Sequence, residues 1–386
     1  MKILLVCGSL EHGRNGVGDY TRRLAVQLKK QGQQVRVLSL SDLPRDDSAH
    51  DLEMLTELQS ADGESVECLR LPASLTWNRR VALTKEWLAN FPPDWASLQF
   101  VPFAYHTKGI CFRLGRHLRN AIGQAKLHLM FHELWLGLDE NPPIKHRVWG
   151  QLQRHATKKM HDDLRPALVT TQADPYVQTL RRQGIHASVL PLFGNISPAP
   201  GDAWRDTLVP ALSDLGMNNP KRENFYLAGV FGAVYPGWDL TRAVRTVAPI
   251  AERAGARLVI VFFGKNDLGE SAIEQMRRDM VGRAAILSLG VKSPEGISRI
   301  LNTLDLGLST SPLYLIEKSG TYAAMREHGL PVLAVRDGAK PRYTKTLQPD
   351  GVYSCREFEQ LEGPPTRPTK APTAKDVAAQ LLRQLG

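Results

Sequence analysis

MKILLVCGSLEHGRNGVGDYTRRLAVQLKKQGQQVRVL, residues 1–38, opens with an apolar run of strand length at 2–7. A polar loop at 8–18 follows and carries Gly8, Gly13, Gly16 and Gly18. Beyond it Tyr20, Leu24 and Leu28 recur at the spacing of one helical face, with Arg22, Arg23, Lys29 and Lys30 elsewhere. Gly32 ends that stretch, and Val35, Val37 and Leu38 begin a second strand. Strand, loop, helix and strand in this order form a unit whose strands pair in parallel through a right-handed crossover.

The alternation continues outward. Apolar strand candidates stand at 66–71, 96–101, 127–131, 167–171 and 187–191, with helical stretches at 79–90, 108–122, 145–160 and 174–183 between them. Residues 194–224 are richer in Pro, Gly, Asn and Asp, which places a domain boundary near 193–205. A second series then begins, with strands at 225–231, 257–263, 284–289, 305–309 and 331–335 and helices at 239–254, 270–281, 294–303 and 319–328. The pattern predicts an α/β fold of two doubly wound domains, over 1–195 and 205–360. A tail over 361–386 starts Pro-rich and regains helical spacing at Val377, Leu381 and Leu382. A chain of 386 residues is too long for one ordinary core, which agrees.

Composition narrows the function classes. A hydrophobic fraction of 42% and a charged fraction of 23% are ordinary for a globular protein. The first apolar run stops at Gly8, too short for a signal-peptide core. No stretch approaches the ~18–20 apolar residues that span a bilayer, so a cytoplasmic location is expected. Cys7, Cys68, Cys111 and Cys355 are scattered without a CxxC pair, so neither metal spacing nor a disulfide framework is expected. The net charge of +10 favours anionic partners such as nucleotide diphosphates, or peripheral contact with the inner face of an anionic membrane. The basic residues form no single block, so no nucleic-acid partner is expected, and a solvated basic surface is the plainest reading.

Three motifs can carry chemistry. In the loop Gly13–Tyr20, Gly16 and Gly18 let the backbone approach a ligand at a helix start, and Asp19 is a candidate polar contact. The third glycine of a GxGxxG dinucleotide fingerprint is missing, and a tight turn without a ligand is the alternative. His132 directly follows the strand at 127–131, where open α/β sheets place their ligands. Leu136 stands where HExxH would need its second histidine, so no zinc site is implied, and a structural histidine is the alternative. The third motif is Glu317-Lys318-Ser319-Gly320-Thr321, between a strand and a helix. Backbone N–H groups at the helix start, two hydroxyls and Lys318 would together cradle a diphosphate. A merely well-capped helix is the competing reading. Lys265, in the strand-end loop Phe263–Asp267, is a lesser phosphate candidate.

Over about 1–340 the chain resembles the GT-B glycosyltransferases related to glycosyltransferase family four. The likeness rests on GDYTRRLA (18–25), on His132, on Pro191 to Asn195, and above all on Glu317, Gly320, Gly329 and Pro331-Val332 in the family's order. It implies two Rossmann-like domains facing a cleft, the first binding the acceptor and the second the nucleotide sugar, with the last helix crossing back to the first domain. It implies sugar transfer from a UDP- or GDP-type donor to a glycan, a lipid-linked glycan or a small molecule, without metal or cofactor and commonly with retention of configuration. Glu317 would contact the donor sugar, and His132 would approach the reacting sugar. A nucleotide-sugar epimerase of the same fold and a non-catalytic binding protein are the alternatives. Two positions depart from the family pattern. Met325 stands where a ribose-binding Glu is usual, and Glu327, two residues on, is rotated by about 200°. Ala233, Val234, Tyr235 and Pro236 stand where the family keeps an Arg and a Lys, a role that Lys265 and Lys318 would have to fill.

Overall fold

The computed structural model describes residues 1–13, 15–42, 54–235, 237–266, 268–338, 340–341 and 348–386. They divide into two compact units. One holds Met1–Pro191, Pro341 and Pro372–Gly386; the other holds Leu192–Lys340 and 348–371.

In the first unit the strands are β1 (Lys2–Cys7), β2 (Gln34–Asp42), β3 (Leu55–Ala61), β4 (Glu64–Pro72), β5 (Trp95–Phe100), β6 (Lys126–Phe131), β7 (Leu168–Thr171) and β8 (Ser188–Val189). They form one sheet in the order β3-β4-β2-β1-β5-β6-β7-β8. The pairings from β4 to β8 are parallel. β3 and β4 instead form an antiparallel hairpin, where the alternation predicted only the second strand. Asp62 and Gly63 at its turn both have positive φ, as a two-residue turn of matching twist requires. Order reverses between β1 and β5, so the crevice beyond their carboxyl ends is a topological switch point.

Helices α1 (Gly16–Lys30), α2 (Trp77–Leu88), α3 (Leu114–Ile122), α4 (Ile144–Leu164) and α5 (Asp174–Arg181) connect these strands. Asn15 caps α1, its side chain accepting from the amides of Val17 at 3.1 Å and Gly18 at 2.9 Å. α3 starts only at Leu114, not at 108 as periodicity predicts. The amides of Lys108 and Ile110 donate to His106 Nδ1 at 3.2 and 3.3 Å, and Gly109 turns the chain with φ +66°. That local turn competes with helix until it is complete.

The second unit contains α6 (Val209–Asp214), β9 (Phe225–Phe231), α7 (Leu240–Arg253), β10 (Arg257–Phe263), α8 (Glu270–Asp279), β11 (Ala285–Ser288), α9 (Pro294–Thr303), β12 (Leu306–Pro312), α10 (Gly320–Glu327), β13 (Val332–Arg336), β14 (Val352–Ser354) and α11 (Cys355–Glu359). Its sheet runs β11-β10-β9-β12-β13-β14, parallel throughout. β10 is apolar at every position after its first because both its faces are covered. Val259, Val261 and Phe263 enter one core layer, and Leu258, Ile260 and Phe262 the other. Each such side chain contributes about 1.5–3 kcal/mol by leaving water. Here the order reverses between β9 and β12, which sets the second switch point.

The tail helix α12 (Ala374–Leu385) belongs with the first unit. A capping box of Thr373 and Asp376 starts it, and Val377, Ala378 and Leu381 are fully buried where it packs on α1. Gln31, which caps the end of α1, donates to the carbonyl of Lys375 at 3.1 Å.

Candidate functional site

The first unit brings its candidates together. Gly18 lies against the strand-end loop so closely that a Cβ there would sit 2.2 Å from the Ser9 carbonyl oxygen. Gly16, by contrast, faces open space. The Asp19 carboxylate is held by Arg22 Nη1 at 2.8 Å and by the Gly13 amide at 3.3 Å. Arg22 in turn reaches Gln59 and the Leu10 carbonyl. Asp19 thus orders the loop. Next to Asp19, the Tyr20 ring meets the His132 ring edge to face, with centroids 4.9 Å apart.

His132 heads a buried chain of hydrogen bonds that the sequence reading did not foresee. Gln172 donates its amide to His132 Nδ1, and His132 Nε2 donates to Gln99 Oε1 at 2.8 Å. Gln99 donates to Ser97 Oγ at 2.7 Å, and Ser97 to His128 Nδ1 at 2.8 Å. His128 Nε2 donates to Thr170 Oγ1 at 2.8 Å. With the Gln99 and Gln172 amides oriented in this way, every donor finds an acceptor when both imidazoles are neutral and protonated at Nε2. Burial keeps both rings neutral, pushing them down to about 3. Both nitrogens of His132 are therefore occupied within its own unit. Gln172 Oε1, at the head of the chain, is buried and has no partner among the described residues.

In the second unit the third motif gathers at its switch point. Glu317 and Lys318 close a 3₁₀ turn, Leu313–Lys318, and Ser319 caps α10 through the Tyr322 amide at 3.4 Å. The first backbone bond of the helix runs from Ala323 to Ser319 at 2.9 Å, so the amides of Gly320 and Thr321 precede it. A Cβ on Gly320 would meet nothing within 4 Å, and Thr321 Oγ1 lies 2.9 Å from Ser319 Oγ. The loop after β9 borders this helix start. Gly232, at φ +77°, has its Cβ position 3.0 Å from Thr321 Cγ2, and Thr310 Oγ1 donates to the Ala233 carbonyl at 2.9 Å. Lys265 is exposed on the neighbouring loop after β10.

Two details bear on the departures seen in the sequence. Met325 is buried against Gly307, whose Cβ position is only 2.5 Å from the Met325 sulfur, so this place on α10 is core. Glu327 accepts from the Gly194 amide at 2.6 Å, on another side of the helix, as the rotation requires. A cation missed in the sequence stands at the end of β13. Arg336 donates to the Thr310 carbonyl at 3.4 Å, and its Nε lies 3.8 Å from the Cβ position of Gly237. Among the described residues it forms no ion pair. A register argument could have found it, because β13 pairs directly with β12.

No protein-family model and no curated protein matches this sequence. Solved structures do match it in fold. The chain is similar to the catalytic domain of starch synthase IV from Arabidopsis thaliana bound to ADP and acarbose, with a TM-score of 0.54 and 13% identity over 100% of this chain and 91% of that one. It is similar to UDP-GlcNAc 2-epimerase from Methanocaldococcus jannaschii, with a TM-score of 0.52 and 10% identity over 100% and 99%. It is also similar to HepE from Anabaena in complex with UDP and glucose, with a TM-score of 0.51 and 14% identity over 87% and 81%. These likenesses establish the fold: two α/β domains with Rossmann-like parallel sheets, as in GT-B proteins.

Proposed function

We propose that the protein transfers a glycosyl group from a nucleoside-diphosphate sugar to an acceptor, with the donor bound by the second unit. The observation that carries this reading is the start of α10. It offers two amides ahead of the first helical bond, two hydroxyls, Lys318 and an unfilled space over Gly320, all at a topological switch point. A diphosphate placed there meets the positive end of a helix, which stabilises the negative charge that develops on it as the leaving group departs. Arg336 and Lys265 stand at the carboxyl ends of β13 and β10 in the same sheet and supply cations that the loop after β9 lacks. Glu317, next to this cradle, takes the role of binding donor sugar hydroxyls.

His132 acts by position. With both ring nitrogens bonded, it fixes the end of β6 and the loop beyond it and does not exchange a proton. The first unit takes the acceptor, and Gly18 holds the loop at its switch point. Retention of configuration and metal independence belong to this proposal by the family resemblance.

The test is to supply UDP-, GDP- and ADP-sugars with panels of glycan, lipid-linked and small-molecule acceptors, and to follow nucleotide release and sugar products. Transfer to an acceptor is the expected outcome. Acceptor-independent conversion of the sugar would replace transferase with epimerase. Tight nucleotide binding without turnover on any panel would leave a binding protein.

A further inference from the structure

A cavity of about 440 Å³ opens in the first unit between the loop after β6, helix α4 and the end of α5. Trp135, Arg147, Arg154 and Arg182 line it, and among the described residues no Asp or Glu does. Arg147 and Arg154 are seven positions apart on α4, close to two full turns, so they share one face. Neither guanidinium has a hydrogen bond or an ion pair among the described residues. The volume falls in the range of small-molecule pockets, ~300–1,000 Å³.

The walls are fixed. A Cβ on Gly150 would lie 2.0 Å from the Leu136 carbonyl oxygen, so only glycine lets the loop touch the helix. Gln153 accepts from the Leu136 amide at 2.9 Å and donates to the Lys108 carbonyl at 2.8 Å. The Arg147 and Arg154 guanidiniums line one cavity without an ion pair among the described residues, which favours an entering anion, and their planar forks match phosphate oxygens in pairs. Preformed walls spare an entering ligand part of the ordering cost.

We infer that this pocket binds a phosphate group carried by the acceptor. The inference rests on the reading that the first unit takes the acceptor. The phosphate can belong to a free phosphorylated molecule or to a lipid headgroup. Ile144 and Val148, exposed one turn apart on the same helix, are placed to favour the second source.

The experiment uses the intact protein with two probes, inorganic phosphate and phosphatidylcholine vesicles containing phosphatidylglycerol, and measures UDP binding in parallel. The wild type is expected to bind at least one probe. Arg147→Gln/Arg154→Gln should weaken that binding about tenfold or more, since each lost charge-assisted contact costs that order. Lys158→Gln/Lys159→Gln removes equal charge from the same helix and should bind as the wild type does. In wild-type protein, the bound probe should shield Arg147 and Arg154 from phenylglyoxal. Binding to phosphate alone identifies a soluble source, and binding to vesicles alone a lipid one. The inference is overturned if neither probe binds, if the arginine variant binds like the wild type, or if both arginines stay reactive. UDP binding should be unchanged by the arginine substitutions. Its absence in wild-type protein would instead refute the donor reading and leave the pocket standing.

Discussion

The Glu327 carboxylate accepts a 2.6 Å hydrogen bond from the backbone amide of Gly194, tying the end of α10 to the first residues of the second unit. Glu327 is 1% exposed, and Gly194 is packed so tightly that its Cβ position is 2.7 Å from the Ala324 backbone. The one acidic residue of α10 is thus a structural clamp.

Glu327→Ala should therefore lower stability by about 1–3 kcal/mol, the cost of leaving a buried amide without its acceptor. Chemical denaturation measures this directly. Nucleotide affinity at a temperature where the variant is folded should stay within about twofold of wild type, well below one lost charged contact. A large, selective loss of affinity would return Glu327 to the ligand site.

The two loop glycines should part company. Gly18→Ala forces a methyl group to within 2.2 Å of the Ser9 carbonyl oxygen and should cost about 1–3 kcal/mol, as overpacking does. Gly16→Ala meets nothing within 4 Å and begins a helix, so it should be neutral or stabilising by up to ~1 kcal/mol. Thermal or urea unfolding of the pair checks this, and equal effects would show that the loop is not packed as described.

The buried histidines predict an acid-sensitive fold. His128 and His132 are lowered from 6.5 to about 3 by burial, so the unfolded chain binds more protons between those values. Stability is full above 6.5 and is lost as pH falls toward 3. Urea midpoints measured at neutral and mildly acidic pH should fall together with pH. The fall should shrink in a His128→Gln/His132→Gln variant, to the extent that this variant folds. A wild-type midpoint that stays flat below 6.5 would mean these imidazoles are not buried neutral.

Arg336→Gln should weaken nucleoside-diphosphate binding about tenfold, the scale of one charge-assisted contact, while leaving the unfolding midpoint nearly unchanged. Equilibrium titration with UDP, GDP and ADP reads the first and differential scanning the second. Unchanged affinity would remove Arg336 from the donor site.

Much of this was legible in the sequence. Continuous apolar runs such as 257–263 report strands covered on both faces, and the alternation with helical spacing fixed two doubly wound units. β3 was not legible, because only one of its seven residues is buried and its side chains carry little apolar signal. The capped helix start at 317–321 was legible as a local motif, since cap, glycine and lysine are contiguous. The chain from Gln172 through His132 and Gln99 to His128 was not. Its members come from three adjacent strands and the loops at their ends, and only register brings them together. Arg336 and the pocket arginines were hidden for the same reason, and one arginine looks like any other until its partners are known.

The most direct measurement of the central claim is calorimetric titration of UDP, GDP and ADP into the wild type and Gly320→Asp. The open space over Gly320 accommodates the new side chain, and a carboxylate at the first turn of a helix favours folding. The account predicts that Gly320→Asp unfolds no earlier than wild type yet loses the nucleotide affinity that the wild type shows. A Gly320→Asp protein that binds nucleoside diphosphate as tightly as wild type would place the donor elsewhere and contradict the account.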